Sequence, residues 1–254
     1  MISAVLIGSG NLAYQLHRAL HSAAGIDLVQ LASRNPKALA GFDPGIPRAQ
    51  NLGSLKQADI FILAVADRAI GELAAKLSVG NALLVHTSGA QPLEALAPIR
   101  RCGVFYPLQS YSRNRDLGFE GVPILLESRQ PEDLELLNGL CSALKGRPVV
   151  ADSRQRLAAH LSAVFTNNFT NHLAHLAGEL CEVNGLDPEI LRPLLLETVH
   201  KLGSLTPYEA QTGPARRRDL STLERHREML HDPLLLNLYN QLTLSIQRTY
   251  EAEL

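Results

Sequence analysis

The sequence predicts an α/β fold in which a doubly wound, mostly parallel β-sheet is followed by an all-helical domain. Three observations lead to this prediction. Short, continuously apolar runs alternate with helical stretches up to about residue 150, a glycine-rich turn joins the first run to the first helix, and β-branched runs stop after Asp152. We therefore predict one domain over residues 1–152 and a second, all-α domain over residues 153–254.

Seven runs in the first domain are typical of strands covered on both faces, because their apolar residues are continuous and do not alternate with polar ones. They are SAVLIG (3–8), DLVQLAS (27–33), DIFILAV (59–65), ALLVHTS (82–88), GVFYPL (103–108), VPILLES (122–128) and PVVAD (148–152).

The second domain begins with one long predicted helix over about 153–184, where large apolar residues recur three and four positions apart along one face. Gly185 can end this helix in the left-handed conformation. Asp187 followed by Pro188 is typical of a helix start, and the pair predicts a helix that runs to about Leu202.

The remainder of the chain predicts two more helices after an irregular segment. Residues 203–219 are rich in Gly, Pro, Thr and Ser and predict an ordered loop with a short helix. Ser221 and Glu224 predict a capping box at the start of the following helix. Asp232 with Pro233 repeats the earlier pattern and predicts the start of the last helix.

Composition excludes some classes of function. The chain has 254 residues, of which 46% are hydrophobic, and a formal net charge of -1, so it lacks the positive field that nucleic acid or an anionic membrane surface requires. No apolar stretch reaches the roughly 18 residues of a membrane span. The three cysteines fit no disulfide or zinc pattern. We expect a cytoplasmic protein without a metal site, whose partners are small molecules and copies of itself.

The glycine-rich turn has the form G-x-G-x-x-A between a strand and a helix, which is the pattern of a Rossmann-type dinucleotide site. In this pattern the first glycine makes the tight turn, the second lets the backbone approach a pyrophosphate, and the alanine keeps helix and strand close. The N-terminus of the helix presents N–H groups to that anion. The candidate cofactor residues here are Gly8, Ser9, Gly10, Asn11, Leu12 and Ala13.

The end of the second predicted strand favours NADP over NAD. An NAD site has an acidic residue about 20 residues after the glycines to accept from the ribose 2′-hydroxyl. This chain has Ser33, Arg34 and Asn35 there and no carboxylate. A hydroxyl and a guanidinium suit a 2′-phosphate. The alternative is that Arg34 is a solvated loop arginine without a ligand.

Six segments together resemble a bacterial family of Rossmann-like proteins whose C-terminal domain is DUF2520. In chain order they are IGSGNLA, ADIFILAVADRAIGELA, LVHTSGA, FYPLQSYS, AAHLSAVFTNNFTNHL and TGPARRRD. The family is similar in plan to pyrroline-5-carboxylate reductase, 3-hydroxyisobutyrate dehydrogenase and the F420-dependent NADP reductases. Its helical domain is similar to the C-terminal domain of 6-phosphogluconate dehydrogenase. The resemblance implies an NADP oxidoreductase.

The resemblance also implies two further groups of cofactor-binding residues. The loop after the strand DIFILAV lies beside the nicotinamide-side ribose and phosphates in enzymes of this plan, which assigns that role to Ala64, Val65 and Asp67. Thr87 and Ser88 follow the next strand, at the carboxyl edge where open α/β sheets bind ligands.

Two positions on neighbouring strands are candidates for chemistry at the substrate. His86 ends the strand ALLVH and is a candidate proton-transfer group, and Gln109 is a candidate substrate-binding residue. The family frequently has His before Pro107. Tyr106 departs from that pattern, which puts proton transfer at this position in doubt.

The long helix carries the principal acid/base candidate. Related dehydrogenases use a Lys there with an Asn a turn or two later, and the resemblance places His160 and Asn168 at these positions. Asn167 is a neighbouring substrate-binding candidate. With 3.6 residues per turn, Asn167 and Asn171 share a face with His160 while Asn168 lies about 80° away. The alternative is that His160 is a structural histidine at a domain interface.

The segment TGPARRRD carries two further family residues, Thr212 and Arg217, as candidate substrate-binding residues. One interpretation is a loop that recognises an anionic group of the substrate. The other is an arginine–aspartate brace within the helical domain.

These observations predict an NADP(H)-dependent oxidoreductase that transfers a hydride to or from a small carbonyl, imine or hydroxy compound in a cleft between the two domains. The alternative is a non-catalytic NADP-binding sensor or scaffold that has lost the acid/base residue. The many apolar helix faces predict a homodimer formed through the helical domain.

Overall fold

A computed structural model describes residues 1–49 and 51–251 of the chain. The chain divides into two compact units, one from Met1 to His172 and one that begins at Leu173. The domain boundary predicted between Asp152 and Ser153 marks the start of a helix, whereas the division into units falls farther along the same helical stretch.

The first unit is built on an eight-stranded sheet. The strands are β1 Ile2–Ile7, β2 Ile26–Ala32, β3 Arg48–Ala49, β4 Ile60–Leu63, β5 Leu83–His86, β6 Cys102–Pro107, β7 Pro123–Ser128 and β8 Arg147–Val150. Their order is β3-β2-β1-β4-β5-β6-β7-β8, and all neighbours are parallel except β6 and β7. The predicted doubly wound, mostly parallel sheet is confirmed. The two-residue β3 was not predicted.

Helices cover both faces of this sheet, which explains why its strands are apolar throughout. They are α1 Asn11–Ser22, α2 Ile70–Lys76 and α3 Asp133–Ala143. Along β1, Ala4 and Leu6 belong to the core cluster shared with α1 and α3, while Val5 and Ile7 belong to the cluster shared with α2. Because successive side chains of a strand point to opposite faces, both sets must be apolar.

A continuous helical stretch follows the sheet, as predicted, but it is not α-helical throughout. It consists of α4 Ser153–Ala163, a π-helical segment Val164–Phe169, and α5 Thr170–Val183. Asp152 caps α4: its carboxylate accepts from the Gln155 N–H at 2.7 Å, and the Gln155 side chain accepts from the Asp152 N–H at 3.0 Å. This capping box fixes where the sheet ends and the helices begin.

The second unit continues with a 3-10 turn at Pro188–Leu191 and four further helices, which are α6 Arg192–Lys201, α7 Pro207–Ala210, α8 Leu220–Met229 and α9 Pro233–Thr249. The predicted caps Asp187 and Asp232 are confirmed. The capping box predicted at Ser221 and Glu224 is wrong. Asp219 caps α8 instead, because its carboxylate accepts from the Thr222 N–H at 3.1 Å.

Among the residues that the structure describes, no helix has both the length and the apolar character needed to cross a membrane. Cys102, Cys141 and Cys181 are all free and buried, as expected for small apolar side chains.

A buried arginine joins α4 to the sheet. The Arg156 side chain is 1% exposed, and its Nη1 pairs with Oε2 of Glu127 on β7. Its Nη2 donates to the carbonyl oxygen of Gln91 at 2.6 Å, and the Ser153 hydroxyl donates to Glu127 Oε2 at 2.9 Å. These bonds tie α4 to two other parts of the first unit.

Replacing Arg156 tests this junction. We expect Arg156→Met to lower the free energy of unfolding by about 3–5 kcal/mol, because it leaves the Glu127 carboxylate without its partner. Urea unfolding measures the change. The double variant Arg156→Met with Glu127→Gln should recover part of the loss. Lys76→Met, which breaks an exposed ion pair with Glu72, serves as the control and should leave stability nearly unchanged. Equal losses of unfolding free energy in Arg156→Met and Lys76→Met would contradict a stabilising role for the buried Arg156–Glu127 pair.

Candidate functional site

Gly8 makes the tight turn between β1 and α1. Its φ is +144°, in the region that favours glycine, and a Cβ there would lie 2.0 Å from the carbonyl oxygen of Ala64. Ala13 is fully buried directly beyond this contact, so the strand and the helix lie close together. Gly8 and Ala13 therefore have the packing roles predicted for them.

Gly10 leaves the N-terminus of α1 open. A Cβ at Gly10 would meet nothing within 4 Å, so the backbone there faces free space. Gly10 is the N-cap of the 12-residue helix α1, where no side chain accepts a hydrogen bond, and the first turn contains no acidic residue. The positive end of the helix is thus available to an anion from outside the chain.

A cavity of about 620 Å³ lies over this turn. It is formed by the loops that follow β1, β2, β4 and β5, at the carboxyl edge of the parallel strands. It brings together twelve of the predicted cofactor residues: Gly8, Ser9, Gly10, Asn11, Leu12, Ser33, Arg34, Asn35, Ala64, Val65, Asp67 and Thr87. Two others do not line it, since Ala13 packs beneath and Ser88 uses its hydroxyl to accept from the N–H groups of Ala90 and Gln91.

The loop after β2 places a hydroxyl and a guanidinium at one end of this cavity. The Ser33 hydroxyl donates to the Ser9 hydroxyl at 3.3 Å and accepts from the Asn35 N–H at 3.3 Å. Arg34 is exposed, and Asp67 is the acidic residue among those that line the cavity. Arg34 therefore contributes a positive charge and Asp67 a negative charge to the lining, and the Arg34 guanidinium also lowers the pKa of the nearby Glu72, after the larger effect of Lys76.

Arg113 is a residue that the sequence analysis missed. It lies between β6 and β7, and its guanidinium donates to the carbonyl oxygens of Ser9 and Ala38. The same group lies over the rings of Tyr14, at 5.4 Å, and Phe42, at 5.7 Å. It joins the glycine turn to the segment after Arg34. No local pattern could have found it, because its partners are distant in sequence.

A second cavity of about 750 Å³, also within the first unit, contains the acid/base candidate. His160 lines it, and its Nδ1 lies 3.1 Å from the hydroxyl of Tyr106 at the end of β6. Gln109, the substrate-binding candidate after β6, lines the same cavity. Tyr106, where proton transfer was put in doubt, is thus the direct partner of His160.

The π-helical segment changes which amides face this cavity. Asn167 and Asn168 both line it, whereas Asn171 does not. The expectation from a 3.6-residue period, with Asn171 aligned and Asn168 turned away, is wrong because the i to i+5 winding of Val164–Phe169 shifts the side-chain positions. His160, Asn167 and Asn168 are all brought together.

His86 lies outside both cavities. Its side chain is fully buried, its Nδ1 accepts from the Ser88 N–H at 3.1 Å, and its Nε2 faces the carbonyl oxygen of Pro92 at 3.4 Å. Burial, and then the nearby Arg156 guanidinium, lower the pKa of His86 to about 4. His86, predicted as a proton-transfer group, therefore lies away from the cavity that contains Gln109 and His160, and its contacts with Ser88 and Pro92 hold the loop after β5.

Thr212 and Arg217 belong to the second unit and are exposed there. Within that unit the neighbouring Arg216 donates to the carbonyl oxygen of Gln211, and its guanidinium lies 4.7 Å from the ring centre of Tyr250. Hydrogen bonds from Thr222, with a smaller effect of Arg217, lower the pKa of Asp219. Arg216 therefore joins this segment to Tyr250, and these contacts do not choose between the anion-binding loop and the arginine–aspartate brace.

The buried His86 makes stability depend on pH. In the unfolded chain its pKa is near 6.5, so between about pH 6.5 and pH 4 the unfolded state binds a proton that the folded state does not. The free energy of unfolding should fall as pH is lowered through this window, by about 2 kcal/mol between pH 6.5 and pH 5 for this group. Urea unfolding at several pH values measures it.

His86→Asn is the control, because its side-chain oxygen can still accept from the Ser88 N–H. This variant should show a flatter pH dependence than the parent protein. The same slope in both proteins would contradict a neutral, buried His86.

Comparisons with known proteins agree with this architecture. A model of a Rossmann-like domain matches residues 1–110, and the model of DUF2520, a domain of unknown function, matches residues 122–246. A search of curated proteins found no significant match.

Several solved structures are similar along the whole chain. A protein from Bacteroides fragilis, proposed to be an NADP oxidoreductase, is 37% identical over 97% of this chain and 98% of its own, with a TM-score of 0.88. A protein from Thermotoga maritima is 24% identical over 98% and 99%, with a TM-score of 0.75. An imine reductase from Streptomyces aurantiacus is 14% identical over 96% and 95%, with a TM-score of 0.69. The last two show the fold alone. The chain belongs to the family of proteins that join a Rossmann-like domain to a DUF2520 domain.

Proposed function

We propose that this chain is an NADP(H)-dependent oxidoreductase that transfers a hydride to or from a small carbonyl, imine or hydroxy compound. The observation that carries the proposal is the open glycine turn, at which the uncapped N-terminus of α1 faces a cavity with Ser33 and Arg34 at one end. The related protein from Bacteroides fragilis, proposed to be an NADP oxidoreductase, supports the same cofactor.

The residues present fit a dinucleotide phosphate. A pyrophosphate at Gly10 would meet open space and the N–H groups of the first turn of α1. A 2′-phosphate would meet the Ser33 hydroxyl and the Arg34 guanidinium, which suit an anion with several acceptor oxygens. When bound in its reduced form, the nicotinamide supplies the hydride, and the protein supplies orientation and a proton.

The alternative function, a sensor or scaffold that binds NADP without turnover, is favoured by the sequence of α4, which contains no Lys. Against it, the second cavity contains two hydrogen-bonded groups that can transfer protons, Tyr106 and His160. We therefore favour the enzyme.

We also propose that a second copy of the chain covers the apolar surface of the second unit. Five large apolar side chains on and before α6 are exposed, and apolar residues exposed in such number are typical of an interface; they are Leu186, Ile190, Leu194, Leu195 and Val199. Light scattering after size-exclusion chromatography should give twice the mass of one chain, and the mass of a single chain would contradict the homodimer.

Arg34→Asp tests the choice of cofactor. We expect NADPH to bind about 10- to 100-fold more weakly, because a charge-assisted hydrogen bond is lost and a like charge is added, while NADH binding is maintained or improved. Fluorescence titration measures both affinities. Arg154→Asp, an equal charge change on α4 outside both cavities, should leave both unchanged. If Arg34→Asp leaves the preference for NADPH over NADH unchanged, Arg34 is a solvated loop arginine that does not contact the cofactor.

The proposed oxidoreductase activity is measured by the loss of NADPH absorbance. We expect oxidation of NADPH with at least one member of a panel of small ketones, aldehydes, cyclic imines and, in reverse, hydroxy compounds. Tight binding of NADPH without turnover across the panel would support the sensor instead.

A further inference from the structure

We propose that the Tyr106 hydroxyl donates the proton to the oxygen or nitrogen of the substrate during reduction, and that His160 returns a proton to Tyr106. The inference rests on the oxidoreductase function proposed above. Proton transfer at Tyr106 was in doubt because the family frequently has His at this position. The proposal restores that role to Tyr106 and makes His160 the group that returns a proton to it.

The geometry of the pair carries the proposal. Tyr106 Oη and His160 Nδ1 are 3.1 Å apart, and the two rings meet edge to face with their centroids 6.0 Å apart. Both side chains line the cavity that also contains the amides of Asn167 and Asn168 and the side chain of Gln109. A substrate held by these neutral groups would lie within reach of the phenol.

The loop after β5 places the pair beside the cofactor cavity. A Cβ on Gly89 would lie 2.7 Å from Cζ of Tyr106 and 2.8 Å from Nδ1 of His160, so the backbone of Gly89 touches both side chains. Thr87, two residues earlier in this loop, lines the cavity at the glycine turn. One short loop therefore connects the phenol, through Gly89, to the cavity at the glycine turn, through Thr87, and a proton donor for hydride transfer is required beside that cavity.

The charges around Tyr106 favour a neutral phenol. Burial, and then the Asp67 carboxylate, raise the pKa of Tyr106, whereas the Arg156 guanidinium acts in the opposite direction. Together with His160, these are the ionisable groups that bear on the hydroxyl. A phenol that keeps its proton at neutral pH is a donor in the resting protein.

Hydride transfer and proton transfer occur at the two atoms of one double bond of the substrate. The substrate carbon gains a hydride from the reduced nicotinamide, which supplies both electrons, and the π bond of the carbonyl or imine breaks. The electron pair of that bond takes the proton of Tyr106, forming O–H or N–H. The resulting phenolate takes the proton from Nδ1 of His160 as solvent delivers a proton to Nε2, so the imidazole stays neutral and ends as the Nε2–H tautomer. Exchange with solvent then restores the proton on Nδ1. In the oxidation direction each transfer is reversed.

The direction of the hydrogen bond distinguishes this mechanism from a simple structural contact. If Tyr106 donates to substrate, its proton is free and His160 must carry a proton on Nδ1 and donate to the phenol oxygen. If Tyr106 merely braces α4, its hydroxyl can donate to an unprotonated Nδ1. The ¹⁵N chemical shifts of labelled histidine report this tautomer directly, in the protein without cofactor or substrate.

We expect the Nδ1–H form for His160 in the parent protein at pH 8, with its signals identified by their loss in His160→Gln. Tyr106→Phe should shift His160 toward the Nε2–H form. An unprotonated Nδ1 in the parent protein would overturn the proposal, whatever the activity.

Turnover supplies the second readout. Tyr106→Phe should lower kcat/KM by about 100-fold or more with the best substrate of the panel and change the affinity for NADPH by less than about twofold. Tyr111→Phe is the matched control: Tyr111 is also largely buried, its hydroxyl bonds to the carbonyl oxygen of Gly118, and it lines neither cavity. Equal activities in the two variants would overturn the role of Tyr106 and leave the proposed function intact. Absence of turnover in the parent protein would overturn the proposed function, and this inference with it.

Gly89→Ala separates the pair without removing either group. The added methyl must displace Tyr106 or His160, so we expect loss of turnover and of the Nδ1–H signature together. Gly71→Ala, on α2, is its control, since a Cβ at Gly71 makes an ordinary contact of 3.5 Å with the carbonyl oxygen of Ala95. Full activity in Gly89→Ala with the pair demonstrably broken would contradict the relay.

Discussion

The candidate site depends on one buried ionic contact, that between Arg156 and Glu127. A guanidinium that is almost fully buried is stable only if its hydrogen bonds are made, and here they fix α4 to β7 and to the Gln91 carbonyl. His160 lies one turn farther along α4, so the same contact determines where its ring meets Tyr106. The positive charge also bears on His86 and Tyr106. A single side chain therefore orients one member of the proton-transfer pair and influences two neighbouring groups.

Two cavities of the first unit, one over the glycine turn and one at His160, differ in the groups that line them. The cavity over the glycine turn is formed by backbone and small side chains, which suits a cofactor recognised through its phosphates. The cavity at His160 is lined by amides, hydroxyls and two ionisable rings, which suits a smaller polar molecule. The loop from Thr87 to Gly89 lines the first cavity through Thr87 and contacts Tyr106 and His160, which line the second, through Gly89. Such an arrangement keeps binding energy for the cofactor separate from the groups that act on the substrate.

Local signals explain what could be predicted from the sequence. The strands were identified because burial on both faces leaves an uninterrupted apolar run, and Asp187 and Asp232 were identified because a cap acts within three residues. The strand β3 has only two residues, one of them exposed, and carries no such signal. Asp219 and Ser221 can both cap a helix, and the choice between them depends on how the chain enters α8.

The unpredicted parts of the site depend on contacts between distant residues. Tyr106 and His160 are 54 positions apart, and Arg113 and Ser9 are 104 apart, so no periodicity connects them. The π-helical segment VFTNNF has no composition that distinguishes it from an α-helix, because its winding depends on tertiary packing. Sequence patterns therefore located the cofactor turn and the helix with His160, while the identity of the histidine's partner required the fold.

The contact at Gly8 has a consequence for how the cofactor cavity can adapt. The glycine turn lies directly against the Ala64 carbonyl. The turn and the start of the loop to Asp67 therefore pack as one wall, in which neither part can move without displacing the other. The segment from Ser33 to Asn35, by contrast, is largely exposed and held by few hydrogen bonds. Of these two parts of the cavity, the exposed segment is the one that can adjust to dinucleotides of different shape at the lower cost in packing.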